Sequence, residues 1–299
     1  EILKIINAIM KEEGVVLVQP NFIFRTLVEP MSDQQNIYRI LNLKRLHEYS
    51  QGRGVIVAVI DTGIDAQHKD LKERVMLSEN LLKEYPFRPE IHGTAMAGVI
   101  GASINGFGIV GVAPESQILA LRACRQVFEA YPEGECYTAS VSKAIDIAIE
   151  KKARIVNMSL GSISPDRLIS RLIEEGSRKG LLFVAPVGNS PRRKALTFPA
   201  SHPEVVSVAG LDEKGQLYPN QEIATQAKVC APSTNVLTTV PGDKLNFLSG
   251  TSIASASVSG ILAIAAEKDG ALRRDKIPPF GGDPCKWEEE LLRLQICRE

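Results

Sequence analysis

The stretch GVIVAVIDTGID, residues 54–65, decides the fold. Its unbroken run of Val, Ile and Ala over 55–60 reads as a strand buried on both faces, the kind found inside parallel sheets. The run ends on Asp61. Two further segments carry chemistry: HGTAMAG, 92–98, where His92 opens a small-residue helical stretch, and GTSIAS, 250–255, where Ser252 opens another. A carboxylate to orient an imidazole, an imidazole to take a proton and a hydroxyl to attack together make an acyl-transfer set. A lone Asp at a strand end is more often structural, and a lone Gly-Thr-Ser is more often a turn or helix cap. The three together, in the order Asp, His, Ser with their glycines intact, are specific.

Outward from this core, short apolar runs alternate with helical patterns. Strands are predicted over 54–60, 117–122, 153–159, 181–187 and 205–209, and helices over 94–103, 138–151, 166–179 and 252–268. Thr138 and Pro165–Asp166 offer helix-start chemistry, and Gly180 a stop. Strand–helix alternation of this kind predicts an α/β three-layer sandwich, a mostly parallel central sheet with helices on both faces. Residues 1–13 read as an amphipathic helix with Ile2, Ile5, Ile6 and Ile9 on one face, followed by a strand; 29–36 read as a polar linker.

Bulk properties narrow the function. The 299 residues are enough for one large α/β domain with additions. Thirty-five Lys and Arg balance 35 Asp and Glu, which gives no electrostatic case for nucleic acid or an anionic membrane. The most apolar helix pattern, 253–266, falls short of the about twenty residues a bilayer requires. The chain opens on Glu1 rather than Met, without a signal-peptide pattern, so a processed or truncated piece of a longer precursor is expected. Cys124 and Cys136 bracket one loop and Cys285 and Cys297 the last segment. Two local disulfides with Cys230 left over suit an oxidising, extracytoplasmic setting; five free thiols in a cytosolic chain are the other arrangement. With no Cys-x-x-Cys and no His cluster, a zinc site is not expected.

On Asp61, His92, Ser252 and their flanking motifs, residues 34–268 resemble the subtilisin-like serine peptidases. The resemblance implies Asp61 as orienting carboxylate, His92 as general base then acid, and Ser252 as nucleophile. Asn189 in FVAPVGNS takes the place of the family's oxyanion asparagine. It further implies that Ser159, Leu160 and Gly161 form the edge that pairs with an extended peptide. Pro186 and Val187 would then wall the first specificity pocket, with Thr197 at its base. No acidic residue occupies these positions, so a preference for Lys or Arg is not implied. A structural Ca²⁺ is implied at Asp70 and Asn105 with carbonyls of Ser103, Phe107 and Ile109, completed by Gln34 or Gln35. The sequence departs from the family's pattern at Ala95–Met96, at Ala256 where proline is usual, and at Pro186 in the pocket wall.

KEEGVVLVQPNFIFR, 11–25, resembles the end of the propeptide that inhibits such enzymes. The expected organisation is therefore a propeptide-like segment over 1–28, a peptidase domain over 29–270 and a C-terminal extension over 271–299. Partners are a protein or peptide substrate and the chain's own N-terminal segment. The site is expected to hydrolyse peptide bonds; a catalytically silent peptide-binding protein and a peptide ligase or macrocyclase are its rivals. Secretion is the expected localisation. The G-x-G-x-x-G match at 106–111 follows a helical stretch rather than a strand, which argues against a nucleotide site.

Overall fold

Strand β1, Ile56–Asp61, lies inside an eight-stranded sheet. Its neighbours are β3, Gln117–Arg122, on one side and β6, Ile155–Asn157, on the other, both parallel. Beyond β3 comes β2, Val75–Asn80. Beyond β6 come β7, Leu182–Pro186, β8, Val205–Leu211, and β10, Val229–Pro232, all parallel. The short β9, Leu217–Tyr218, joins β8 antiparallel. The structure, a computed structural model, describes residues 35–277 except 130, 191, 193, 219 and 220, together with 4, 8–12 and 14. The expected segment at 1–28, most of the linker at 29–36, the tail beyond 277 and Cys285 and Cys297 therefore lie outside the described residues.

The alternation of side chains along the strands builds two cores. Val57, Val59, Leu182, Val184 and Val206 face one layer, which holds α3, Ile91–Gly101, and α7, Thr251–Lys268, beside α1, Asn36–Ile40, and α2, Leu43–Tyr49. Ala58, Ile60, Leu119, Leu121 and Phe183 face the other, packed on α4, Thr138–Glu150, and α5, Arg167–Arg178. A further short helix, α6, spans Gln221–Ala224. The predicted three-layer α/β sandwich is the one observed, and strand 117–122 matches to the residue.

Several elements were not foreseen. Two antiparallel hairpins stand off the main sheet: β4, Cys124–Gln126, with β5, Gly134–Cys136, and β11, Val236–Val240, with β12, Lys244–Leu248. Strands this short carry too little alternation to read. Strand β10, VCAP, is hidden for the same reason, as are the two short helices α1 and α2; β2, VMLSEN, is as long as β3 but lacks its continuous apolar run. Thr138 does not cap α4: its hydroxyl donates to Asp166 Oδ2 at 2.6 Å, while Asp166 caps α5 by accepting from the N–H groups of Leu168 and Ile169. Cys124–Cys136 is a disulfide. Cys230 is also disulfide-bonded, which corrects its expected role as the thiol left over. Among the described residues no helix is long and apolar enough to cross a membrane.

Candidate active site

Asp61 is the last residue of β1, and its carboxylate is buried. Oδ1 accepts from the Thr62 N–H at 2.7 Å and from His92 Nδ1, also at 2.7 Å. Oδ2 is buried with no hydrogen-bond partner. His92 reaches Asp61 because the first turn of α3 lies against the end of β1. The Gly93 N–H donates to Thr62 Oγ1 at 2.9 Å, and a Cβ on Gly93 would sit 2.3 Å from the Thr62 carbonyl oxygen. No side chain larger than hydrogen fits that approach.

A carboxylate only accepts, so His92 Nδ1 carries the proton and the neutral ring offers Nε2 as a base. The side chain is 18% exposed. Burial works against its charged form, but the charge and hydrogen bond of Asp61 outweigh it, and the pKa is raised. The sign follows: imidazolium stabilises the fold below the unfolded value of about 6.5, and that stability is lost as pH rises through the higher folded value.

Ser252 stands in the first turn of α7, after Gly250 at φ 149° and a buried Thr251. At this position its N–H has no acceptor within the helix. The Thr251 N–H and hydroxyl both donate to Asn189 Oδ1, at 2.8 and 2.9 Å. A backbone N–H can only donate, so the amide oxygen must face Thr251. That leaves the two donors of Asn189 Nδ2 on its other side. Sequence reading singled out Asn189 but not Thr251, its hydrogen-bond partner beside Ser252.

The open cleft runs to both sides of His92. One side is lined by Asp61, Gly134, Ser159, Leu160, Gly161 and Phe198; the other by Met96, Asn189, Leu248, Gly250 and Ser252, with Phe128 and Tyr131 from the disulfide-closed hairpin. The Ser159 hydroxyl turns inward, to the Ser252 carbonyl at 3.3 Å and Ser255 Oγ at 3.0 Å, and accepts from Asn157 Nδ2 at 3.0 Å. Ser159, Leu160 and Gly161 all line the cleft. Pro186, Val187 and Thr197 are buried and are not among the residues that line these two sides. Thr197 instead packs behind Gly161, where an added Cβ would meet Thr197 Oγ1 at 2.9 Å.

Asp70, fully buried, gathers the loop at 103–109. Its Oδ2 accepts from the Ile109 N–H at 3.0 Å. Asn105 turns its amide nitrogen to Asp70 Oδ1 at 3.4 Å and to the Lys69 carbonyl, and its oxygen takes the Phe107 N–H. Gln35 spends both ends of its amide on Val110. Burial raises the Asp70 pKa more than the Ile109 N–H lowers it, and the buried Ser103 hydroxyl has no partner. The set is rich in hard oxygen, yet it becomes a cation cage only if the Asn105 amide turns over. Among the described residues no three His, Cys, Asp or Glu gather as a metal cluster.

The model of the subtilase family matches residues 52–278. The chain belongs to the subtilase family. It is a serine-type endopeptidase with a subtilisin-like fold. This subtilase is 33% identical over 243 residues to an intracellular serine protease of Paenibacillus polymyxa, covering 77% of the chain and 72% of that protein. It is 31% identical over 224 residues to the major intracellular serine protease of Bacillus subtilis, covering 72% and 69%. It is also 34% identical over 220 residues to the minor extracellular protease Epr of Bacillus subtilis, covering 74% of this chain but 33% of that protein. Relatives of both locations thus share the domain.

In Asp61→Asn the two contributions that raise the His92 pKa are weakened while its burial remains. The His92 titration, followed by NMR of its ring protons, is expected to move to lower pH. An unchanged titration would show that Asp61 does not set the charge of His92.

Proposed function

We propose that this subtilase cleaves peptide bonds through an acyl-enzyme on Ser252. The observation that carries the reading is the 2.7 Å bond from His92 Nδ1 to Asp61, in a cleft shared with Ser252 and Asn189. Ser252 Oγ attacks the scissile carbonyl carbon as His92 Nε2 takes its proton. Asp61 holds the ring and stabilises the imidazolium. The carbonyl oxygen, now negative, receives hydrogen bonds from Asn189 Nδ2 and the Ser252 N–H, at the positive end of α7. His92 returns the proton to the departing amine, and water repeats the sequence to release the acid. The acyl side of the substrate pairs with the backbone of Ser159, Leu160 and Gly161, with Thr197 behind it. Pro186 and Val187 support that edge from within the sheet.

The catalytic unit in this reading spans 29–270, flanked by a self-processed, inhibitory segment at 1–28 and an extension at 271–299. The Cys124–Cys136 bridge and the bonded Cys230 support an oxidising compartment, and so secretion. Calcium at Asp70, Asn105 and the carbonyls of Ser103, Phe107 and Ile109 has one support: a hard cation relieves a carboxylate that burial otherwise penalises.

Intact-mass spectrometry after a fluorophosphonate tests the centre. One adduct on the wild type and none on Ser252→Ala is the expected result; labelling of the Ala variant would overturn the assignment. A wild type that labels only after residues 1–28 are removed places that segment over the cleft, and one that never labels is a silent binder. Asn189→Ala is expected to lower kcat by about 10²–10³ with little change in KM, measured on a peptide substrate. Product masses should show hydrolysis alone; ligated products would mean that amines outcompete water. Chelation by EDTA is expected to lower Tm, with recovery on adding Ca²⁺, and an indifferent Tm removes calcium from the reading.

A further inference from the structure

Asp61 and Arg122 are register partners on the adjacent strands β1 and β3, and the Ala123 N–H donates to the Asp61 carbonyl at 2.9 Å. The Arg122 side chain is 3% exposed. A guanidinium buried there requires a carboxylate, and it finds Glu90 through Nε at 3.1 Å and Nη2 at 2.9 Å. Glu90 is the residue at which α3 begins, two positions before His92, and its side chain is 2% exposed. Instead of capping its own helix, its carboxylate accepts from the Gly63 N–H at 2.6 Å and the Gln126 N–H at 3.1 Å. Gln126 answers by accepting the Ile91 N–H at 2.8 Å. A closed circuit results: Asp61 lies beside Arg122, Arg122 grips Glu90, Glu90 starts the turn that carries His92, and His92 returns to Asp61.

We propose that the Glu90–Arg122 pair is a positioning device that holds His92 Nδ1 on Asp61 and thereby sets the rate of acyl transfer. The proposal rests on the reading of Ser252, His92 and Asp61 above. Two observations favour it over a purely structural tie. A buried ion pair contributes little net stability, because losing two hydration shells cancels most of the attraction; what a two-point fork supplies is fixed distance and angle. The pair also ties the start of α3, which carries His92, to β3, the strand on which Arg122 is the register partner of Asp61. Burial opposes charge on Glu90, but its hydrogen bonds from Arg122, Gly63 and Gln126 and the Arg122 charge prevail, and its pKa is lowered. Arg88, half exposed, adds a third contact at 3.2 Å that water largely screens.

The test compares Glu90→Gln, Arg122→Met and the double variant in the full chain. The double variant removes both charges, so it carries the test if a stranded single charge prevents folding. Glu267→Gln is the control for losing a carboxylate that anchors a loop. Glu267 accepts from the Gly52 and Arg53 N–H groups and the Ser50 hydroxyl, away from the cleft. Expected is a fall in kcat and in fluorophosphonate labelling of about 10–10²-fold, the cost of a misplaced catalytic group. KM should hold within about twofold, and the downfield proton resonance of the His92–Asp61 bond should broaden or vanish. Glu267→Gln is expected to lower Tm and leave kcat and that resonance intact. Variants that lose Tm but keep wild-type kcat and the sharp resonance overturn the proposal. The resonance reads the pair without using Ser252. A wild type that fails to label therefore defeats the reading of Ser252, while the variant spectra still decide the pair.

Discussion

One hydrogen bond, 2.7 Å long, from the imidazole of His92 to the carboxylate of Asp61 places a demand on everything around it. It needs an ionised carboxylate in a place where water cannot solvate it, and such a charge is costly unless the protein supplies partners. The end of a parallel strand meets that demand. There the chain leaves the sheet, the next backbone N–H turns back onto the carboxylate, and a neighbouring helix can bring its first turn close. The smallness of Gly93 and the carbonyl of Thr62 set how close.

The same logic governs the other wall. Helix α7 reaches into the middle of the molecule because it is built of Ala, Ser and Gly, so the sheet and α3 close around it with nearly every residue buried. Its polar atoms are not left unmet. Ser255 and Ser259 turn their hydroxyls to Asn157 at the end of β6, and Ser255 also meets the Ser252 carbonyl. Buried polar groups paired in this way hold one arrangement of helix against strand, where an apolar surface would allow slippage. The turn that carries Ser252 is thus tied to Ser159 and Asn157 by buried hydroxyls.

Legibility followed the range of the signal. The long apolar runs that became β1, β3, β7 and β8 could be read because a strand buried on both faces must be apolar throughout. Asp61, His92, Ser252 and Asn189 could be singled out because each sits in a motif of several residues, and all four line the cleft. The short strands β4, β5 and β10 sit in no such apolar run and offer no period to detect. Glu90 and Arg122 were missed for a different reason. A single charge at the end of an apolar run looks like a solvated boundary until a second strand and a distant loop reveal its partner. Thr138 shows the reverse error: a residue suited to capping by type was claimed by Asp166, a neighbour in space only. The pocket wall at Pro186 and Val187 was placed by analogy along the chain; both residues are buried at the end of β7.

Asp61 and Ser252 come from elements far apart along the chain. Among the described residues Asp61 lies in the first strand, and Ser252 on α7, the last α-helix. Helix α7, almost without an apolar side to set against a polar one, has little reason to hold its shape before β6, β7, β8 and α3 are in place to receive it. Contacts of such long separation form late, since loop closure must be met before they reward it. During synthesis and folding the chain is therefore a substrate before it is a peptidase. The cleft that His92 and Ser252 share is complete only once α7 has docked.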